Sequence, residues 1–253
     1  MSDFIAAADR VLLERHGLAS YEALWALQLE AVDEPNTERG GWSSVYRLDL
    51  GEAAFYLKRQ SNHLTRNLLH PFGEPTFARE FRNIQRYQAL GIPALQAAFF
   101  AERRLPGERR AILLTRALDG WRDLDSLLAA WGARPEAQRA GILRACAELA
   151  QRLHGAGQMH GCFYPKHIFL KEEGLKEDGG AFSAQLIDLE KTRPLLFGAR
   201  DRIRDLEPLL RRASVWSEAE VRQLLAAYLP AGADIEHWWR LLGARRLNKE
   251  ARR

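Results

Sequence analysis

The sequence predicts an α+β protein of two unlike parts, a small β-rich part followed by a mainly helical one. Through about residue 116, turn residues alternate with short β-rich runs. From about residue 123, apolar residues recur at helical spacing, with capping residues at the ends of the runs. The stretch between, ALDGWR at 117–122, carries Gly120 and reads as a hinge, so the division is 1–116, 117–122 and 123–253.

Residues 2–16 are predicted helical, with Phe4, Ile5, Val11 and Leu12 on one face, and 20–32 is a mixed segment. The Gly40-Gly41-Trp42-Ser43-Ser44 turn opens a strand over 45–50. Gly51-Glu52 reverses the chain, and 53–59 returns as the second strand of a hairpin. The polar stretch 60–75 reads as a mobile lid or a covering loop. Residues 76–90 place Phe77, Phe81, Ile84 and Tyr87 at helical spacing, with Gly91 and Pro93 as stop signals. Segments 95–102 and 110–116 are predicted strands. Helices are predicted at 123–131 and 135–154, with Pro135 at the first helical position. Two short strands at 167–171 and 184–188 flank a charged, Gly-containing loop. Helices follow at 201–213, 217–229 and 234–246, and Ser217 with Glu220 makes a capping-box signal for the middle one.

A hydrophobic fraction of 47% and a charged fraction of 28% over 253 residues exclude wholesale disorder and allow a sizeable core without covalent staples. The net charge of +4 is too mild for a dedicated nucleic-acid binder but permits anionic partners. Cys146 and Cys162 imply no disulfide framework, so a reducing compartment is expected. The start, MSDFIAAADR, has no basic region leading into an apolar run, and no stretch approaches the roughly 18 apolar residues of a membrane span. A soluble, cytoplasmic protein is expected, with any membrane contact peripheral.

Five features carry chemistry. The turn at Gly40, Gly41, Ser43 and Ser44 can bring backbone N–H groups to phosphate oxygens, or it is an ordinary hairpin turn. Lys58, in FYLKR, is a solvated strand lysine or an amine directed at phosphates and held by Glu80 of the following helix. The run from Met159 to Leu170 is forced into a loop by Gly161 and Pro165 and ends in a strand. Asp188 ends the apolar run Gln185–Leu186–Ile187, where a carboxylate can reach a metal or simply close a turn. Asp205 sits in a helix, by default on its solvated face. Arginines 200, 202, 204, 211, 212, 245, 246, 252 and 253 suit a phosphorylated acceptor, or are solvated helix charges. Trp238-Trp239 is core or lipid-proximal surface, with core expected for at least one of the pair.

In this order the parts resemble those of the protein-kinase-like fold. Within it, residues 40–212 resemble the bacterial lipopolysaccharide core kinase family, the InaA-type heptose kinases. The most specific piece is HGCFYPKHIFL, from His160 to Leu170, which keeps the register of the kinase catalytic loop. The resemblance implies a small β-rich N-lobe and a helical C-lobe. It implies that Lys58, held by Glu80, orients the phosphates of ATP under the Gly40–Ser44 turn, and that backbone near Thr115, Ala117 and Leu118 receives adenine. It makes His160 the loop histidine and Asp205 the aspartate that braces the loop. Asp188 would hold Mg²⁺, and His167 would stand where most kinases carry a metal-binding Asn. The implied acceptor is a sugar hydroxyl, a heptose of the lipid-linked lipopolysaccharide core, met at the inner membrane surface. Cys162 departs from the pattern by occupying the slot of the catalytic aspartate. The chain is then an enzyme assisted by metal positioning or by Lys166 or His167, or a pseudokinase that binds nucleotide without transfer. A protein kinase fits less well, since Tyr164 stands where those enzymes have a loop lysine.

Overall fold

The computed structural model describes residues 3–66, 70–174 and 180–250, without the side chains of 39 and 247–250. The chain forms two compact units, Met1–Ala89 with Leu95–Asp119, and Leu90–Ala94 with Gly120–Arg253. The loop Leu90–Ala94 departs from the sequence division, which kept it in the first part. It joins the second unit because Ala94 bridges Leu186 and the Pro93 carbonyl accepts the Leu186 N–H at 3.1 Å.

Among the described residues, the first unit holds a five-stranded antiparallel sheet in the order β1-β6-β7-β3-β2. Its strands are β1 (Phe4–Ile5), β2 (Trp42–Asp49), β3 (Ala54–Ser61), β6 (Ala97–Leu105) and β7 (Glu108–Arg116). Period-two alternation puts Phe55 and Leu57 of β3 on one face, and both are fully buried. They pack with Leu48, Phe99, Ile112 and Leu114 of the sheet, and with Leu13, Tyr21 and Leu24 of α1 (Ala7–Arg15) and α2 (Tyr21–Ala26). Each such side chain contributes about 1.5–3 kcal/mol of burial. The helix predicted over 2–16 is corrected here. Phe4 and Ile5 pair with Phe100 and Phe99 as an edge strand, and Val11 is exposed.

The helix α3 (Thr76–Ala89) packs against β6 and β7 and stacks Phe81 on Phe100 at 4.4 Å between ring centres. The segment before it is tied down at both ends. The short strands β4 (Leu64–Thr65) and β5 (Glu74–Pro75) pair with each other. The Gln60 side-chain oxygen accepts from the Thr76 hydroxyl and the Phe77 N–H, each at 2.8 Å, and buried Glu74 pairs with Arg82 at 2.6 Å. Residues 67–69 of that segment lie outside the described residues.

The second unit is built around α5 (Glu136–Gly155), which packs against α7 (Glu218–Tyr228) and β11 (Phe182–Leu186). Pro135 caps this helix from an extended conformation instead of occupying its first turn. Gly141 is required because a Cβ there would meet the Gly180 carbonyl oxygen at 2.2 Å. β10 (Ile168–Glu172) pairs antiparallel with β11 and with β8 (Arg122–Asp123), which leads into α4 (Leu124–Leu128). Residues 175–179 of the β10–β11 loop lie outside the described residues, as do Arg252 and Arg253. β9 (Gln158–Met159) pairs with β12 (Arg193–Pro194), ahead of α6 (Ala199–Arg212). Ser217 and Glu220 make the reciprocal capping box that opens α7. In α8 (Ile235–Glu250), Trp238 and Trp239 are both half-buried, against the core placement expected for one of them. Trp238 meets Tyr228 edge-on, and Trp239 lies under the Arg222 guanidinium.

Candidate active site

In the second unit, the loop between β9 and β10 is held from beneath by α6. Asp205, 1% exposed, accepts the His160 N–H and the Gly161 N–H on its two oxygens, each at 2.7 Å. His154 Nε2 donates to the same carboxylate at 3.2 Å, while its Nδ1 accepts from the Tyr228 hydroxyl at 2.8 Å. Bonds of this kind to a buried carboxylate contribute about 1.5–3 kcal/mol each. Burial pushes the Tyr228 hydroxyl well above the usual phenol range, so it stays a donor. Asp205 therefore faces inward and is committed to the loop, not to solvent as its default reading had it.

A second set of contacts clasps the loop to the Asp188 segment. His160 Nε2 donates to the Ile187 carbonyl at 2.9 Å, and its Nδ1 accepts from the Cys162 N–H at 3.3 Å. Gly161 has φ +78°, and a Cβ there would lie 2.6 Å from the Lys191 carbonyl oxygen. Both facts exclude a side chain. Asp188 itself sits at φ 57° and ψ 62°, a left-handed conformation that a short polar residue tolerates and most others do not. With its side chain 46% exposed, the carboxylate stands clear of the strand that delivers it.

His167 closes this cluster. Its Nδ1 donates to the Cys162 carbonyl at 2.9 Å, an acceptor only, which places a proton on Nδ1. Burial lowers its pKa against the opposing pull of Asp188, so the ring is held neutral and Nε2 carries a lone pair. That lone pair faces Asp188 Oδ2 at 3.3 Å. Two acceptors so placed repel unless a cation or a donor comes between them. The donor set fits a magnesium ion that takes one carboxylate from protein and its other ligands from water and phosphate. No group of three or more metal-ligating side chains occurs among the described residues. Imidazole is a softer donor than magnesium favours, so of these two side chains the carboxylate suits that ion better.

Cys162 is 6% exposed, and burial together with the neighbouring Cys162 side chain raises the pKa of the Tyr164 hydroxyl. The Tyr164 ring lies under the Arg212 guanidinium at 4.0 Å. No local pattern in the sequence signals that stacking. Lys166 is exposed. Of the arginines weighed for acceptor binding, Arg211 is already paired with Glu207 at 2.8 Å, and Arg200 lies over Phe197.

In the first unit, Lys58 Nζ meets Glu80 Oε1 at 2.7 Å, with side chains 16% and 4% exposed. β3 presents the amine and α3 the carboxylate. The turn before β2 is accounted for by packing. A Cβ at Gly41 would lie 2.2 Å from the Ser61 carbonyl oxygen, so the glycine admits a neighbouring backbone. Ser43 exchanges both of its backbone bonds with Asn36 at 2.9 Å, and Ser44 is buried in the ladder opposite Arg59. Ser43 therefore has no free N–H for a phosphate. In the segment assigned to adenine, two backbone donors are likewise engaged. Thr115 is buried in the sheet, and the Arg116 and Ala117 N–H groups donate to Gln96 and Ala54 at 3.0 and 2.8 Å. Leu118 is half-buried just beyond.

The sheet, the helical unit and the braced loop define a protein-kinase-like fold. A solved structure, WaaP in complex with acyl carrier protein, superposes with a TM-score of 0.72, covering 100% of this chain and 99% of that one at 20% identity. Protein InaA of Escherichia coli (strain K12) is 32% identical over 171 residues, 67% of this chain and 76% of InaA. Residues 22–228 match the lipopolysaccharide kinase (Kdo/WaaP) family model, and the chain belongs to that family. No helix among the described residues is long and apolar enough to cross a membrane.

Proposed function

We propose that the chain is an ATP- and Mg²⁺-dependent phosphotransferase that acts on a sugar hydroxyl, a heptose of the lipopolysaccharide inner core. The observation that carries this reading is the Asp205 clamp on His160 and Gly161, with His160 in turn gripping the carbonyl one residue before Asp188. Backbone struts thus fix where the Asp188 carboxylate emerges, and pre-set geometry is what phosphoryl transfer most needs. Asp188 would hold the metal, with His167 Nε2 beside it. Magnesium, when bound, neutralises charge on the phosphate oxygens and orients them. In the first unit, Lys58 would meet nucleotide phosphates, its amine held by Glu80 in the orientation that phosphate oxygens require. The acceptor is lipid-linked, which places the reaction at the cytoplasmic face of the inner membrane.

A second reading, a nucleotide-binding module without transfer, is favoured by Cys162. A buried thiol is a poor substitute for a carboxylate base, a loss worth about 10²–10⁴-fold in rate. Transfer of the γ-phosphate of ATP to purified core oligosaccharide separates the two. Activity in wild type that disappears in Asp188→Asn supports the enzyme. Absence of transfer, together with thermal stabilisation by Mg-ATP, supports the module. Cys162→Asp then tests whether the base alone is missing, by gaining activity.

A further inference from the structure

The turn between β12 and α6 exposes two large apolar side chains side by side, Leu196 at 72% and Phe197 at 63%. Singly exposed apolar residues are ordinary, but this pair is held in place. Asp201 Oδ2 accepts the Leu196 N–H at 2.9 Å and the Phe197 N–H at 3.1 Å. The carboxylate is 4% exposed, so the acid of this segment is turned inward while the two apolar tips face out.

The surroundings are cationic. Positions 190–204 hold five Lys or Arg residues against two carboxylates, one of them the inward Asp201. The Arg200 guanidinium lies 5.7 Å from the centre of the Phe197 ring. Arg193 and Arg204 are close enough to Asp201 to favour its ionised form. Arg200 and Arg204 are exposed. An exposed apolar pair in a cationic segment, with Arg200 against Phe197, matches an interface that is apolar inside and negatively charged at its surface. An acidic protein partner would reward the charges but leave the two tips without an apolar cavity to enter.

We propose that Leu196 and Phe197, with Arg193, Arg200 and Arg204 around them, form a docking site for an anionic lipid surface. The Asp201 clamp makes the tip rigid, so little conformational entropy is lost on insertion. The site deepens the reading that the acceptor is lipid-linked, yet its test involves no turnover.

Co-sedimentation of the protein with phosphatidylglycerol-containing vesicles and with pure phosphatidylcholine vesicles tests the proposal. Wild type binds the anionic vesicles and not the zwitterionic ones. The Leu196→Ser/Phe197→Ser variant binds about tenfold or more weakly, from the apolar area lost to the bilayer. Arg200→Gln/Arg204→Gln binds more weakly by about fivefold per charge and loses most of its salt dependence. Both positions of the Ser variant are exposed, so it melts at the wild-type temperature and keeps wild-type binding of Mg-ATP. Equal vesicle binding by wild type and the Ser variant overturns the proposal, as does an absence of wild-type binding. Retention on immobilised poly-glutamate that the Ser change abolishes, without vesicle binding, assigns the tip to an acidic protein and overturns it too. Vesicle binding without phosphate transfer leaves the docking site standing and removes the kinase reading alone.

Discussion

His167 Nε2 and Asp188 Oδ2 face each other across 3.3 Å, while the other ring nitrogen is committed to the Cys162 carbonyl. A cation between them relieves that opposition. Mg-ATP therefore stabilises wild type against heat. Asp188→Asn removes the anionic ligand and abolishes the part of the shift that depends on the metal, while the shift without metal is unchanged. Differential scanning fluorimetry with ATP in magnesium and in EDTA reads both.

Lys58→Met leaves Glu80 as a buried carboxylate without its amine. Breaking a largely buried pair from one side costs about 3 kcal/mol, so urea unfolding moves to a lower midpoint. Glu80→Gln alone costs less, and the double variant falls short of the sum of the two single changes. Strict additivity would show that the 2.7 Å contact carries no coupling energy.

Asp205→Ala strands two backbone donors and His154 in the interior. At about 1–3 kcal/mol for each unsatisfied group, the loss is at least ~3 kcal/mol. Hydrogen exchange at the His160 and Gly161 amides accelerates more than exchange in the sheet of the first unit.

Gly161→Ala brings a methyl group onto the Lys191 carbonyl at a positive φ. The backbone penalty alone is about 1–2 kcal/mol, and the contact adds to it. Loss of Mg-ATP binding accompanies the fall in stability, because the displaced Lys191 lies on the turn that carries Asp188. Gly132→Ala, where nothing lies within 4 Å of the added methyl and no positive φ is needed, is the matched control and stays near wild type.

Burial pushes the Cys146 thiol up to about 12. The native state then keeps a proton that the unfolded chain releases above the ordinary thiol pKa of about 8.5. The stability involved is fully present below that value and declines as pH rises toward 12, by up to about 1.4 kcal/mol per pH unit. Chemical denaturation at pH 8, 9 and 10 shows the decline, and Cys146→Ala removes this component. In the native protein, Cys146 does not react with a thiol reagent at pH 8.

Legibility from sequence followed the range of the interactions. The helix carrying Glu80, the capping box at Ser217 and the strand ending ahead of Asp188 were readable because their signals lie within a few residues. The strand at Phe4–Ile5 was not, since two residues are too few to show alternation and their spacing to Val11 and Leu12 imitates a helix. Gly41 read as either a phosphate turn or an ordinary hairpin turn, and what requires a glycine there is the backbone at Ser61, which only pairing of distant strands brings near. The stacking of Arg212 on Tyr164 depends on where α6 returns to the loop. No local pattern encodes that return.

The struts of the loop bear on position 162 in a particular way. Asp205, His154, His160, His167 and the carbonyl of Ile187 secure the loop through main chain and neighbours, and from residue 162 they recruit its amide and its carbonyl. Its side chain is thus a tenant of the scaffold and not one of its beams. A carboxylate placed there would leave every one of these struts in place, so the atoms that set reactivity at this position are not the ones that hold the loop's shape.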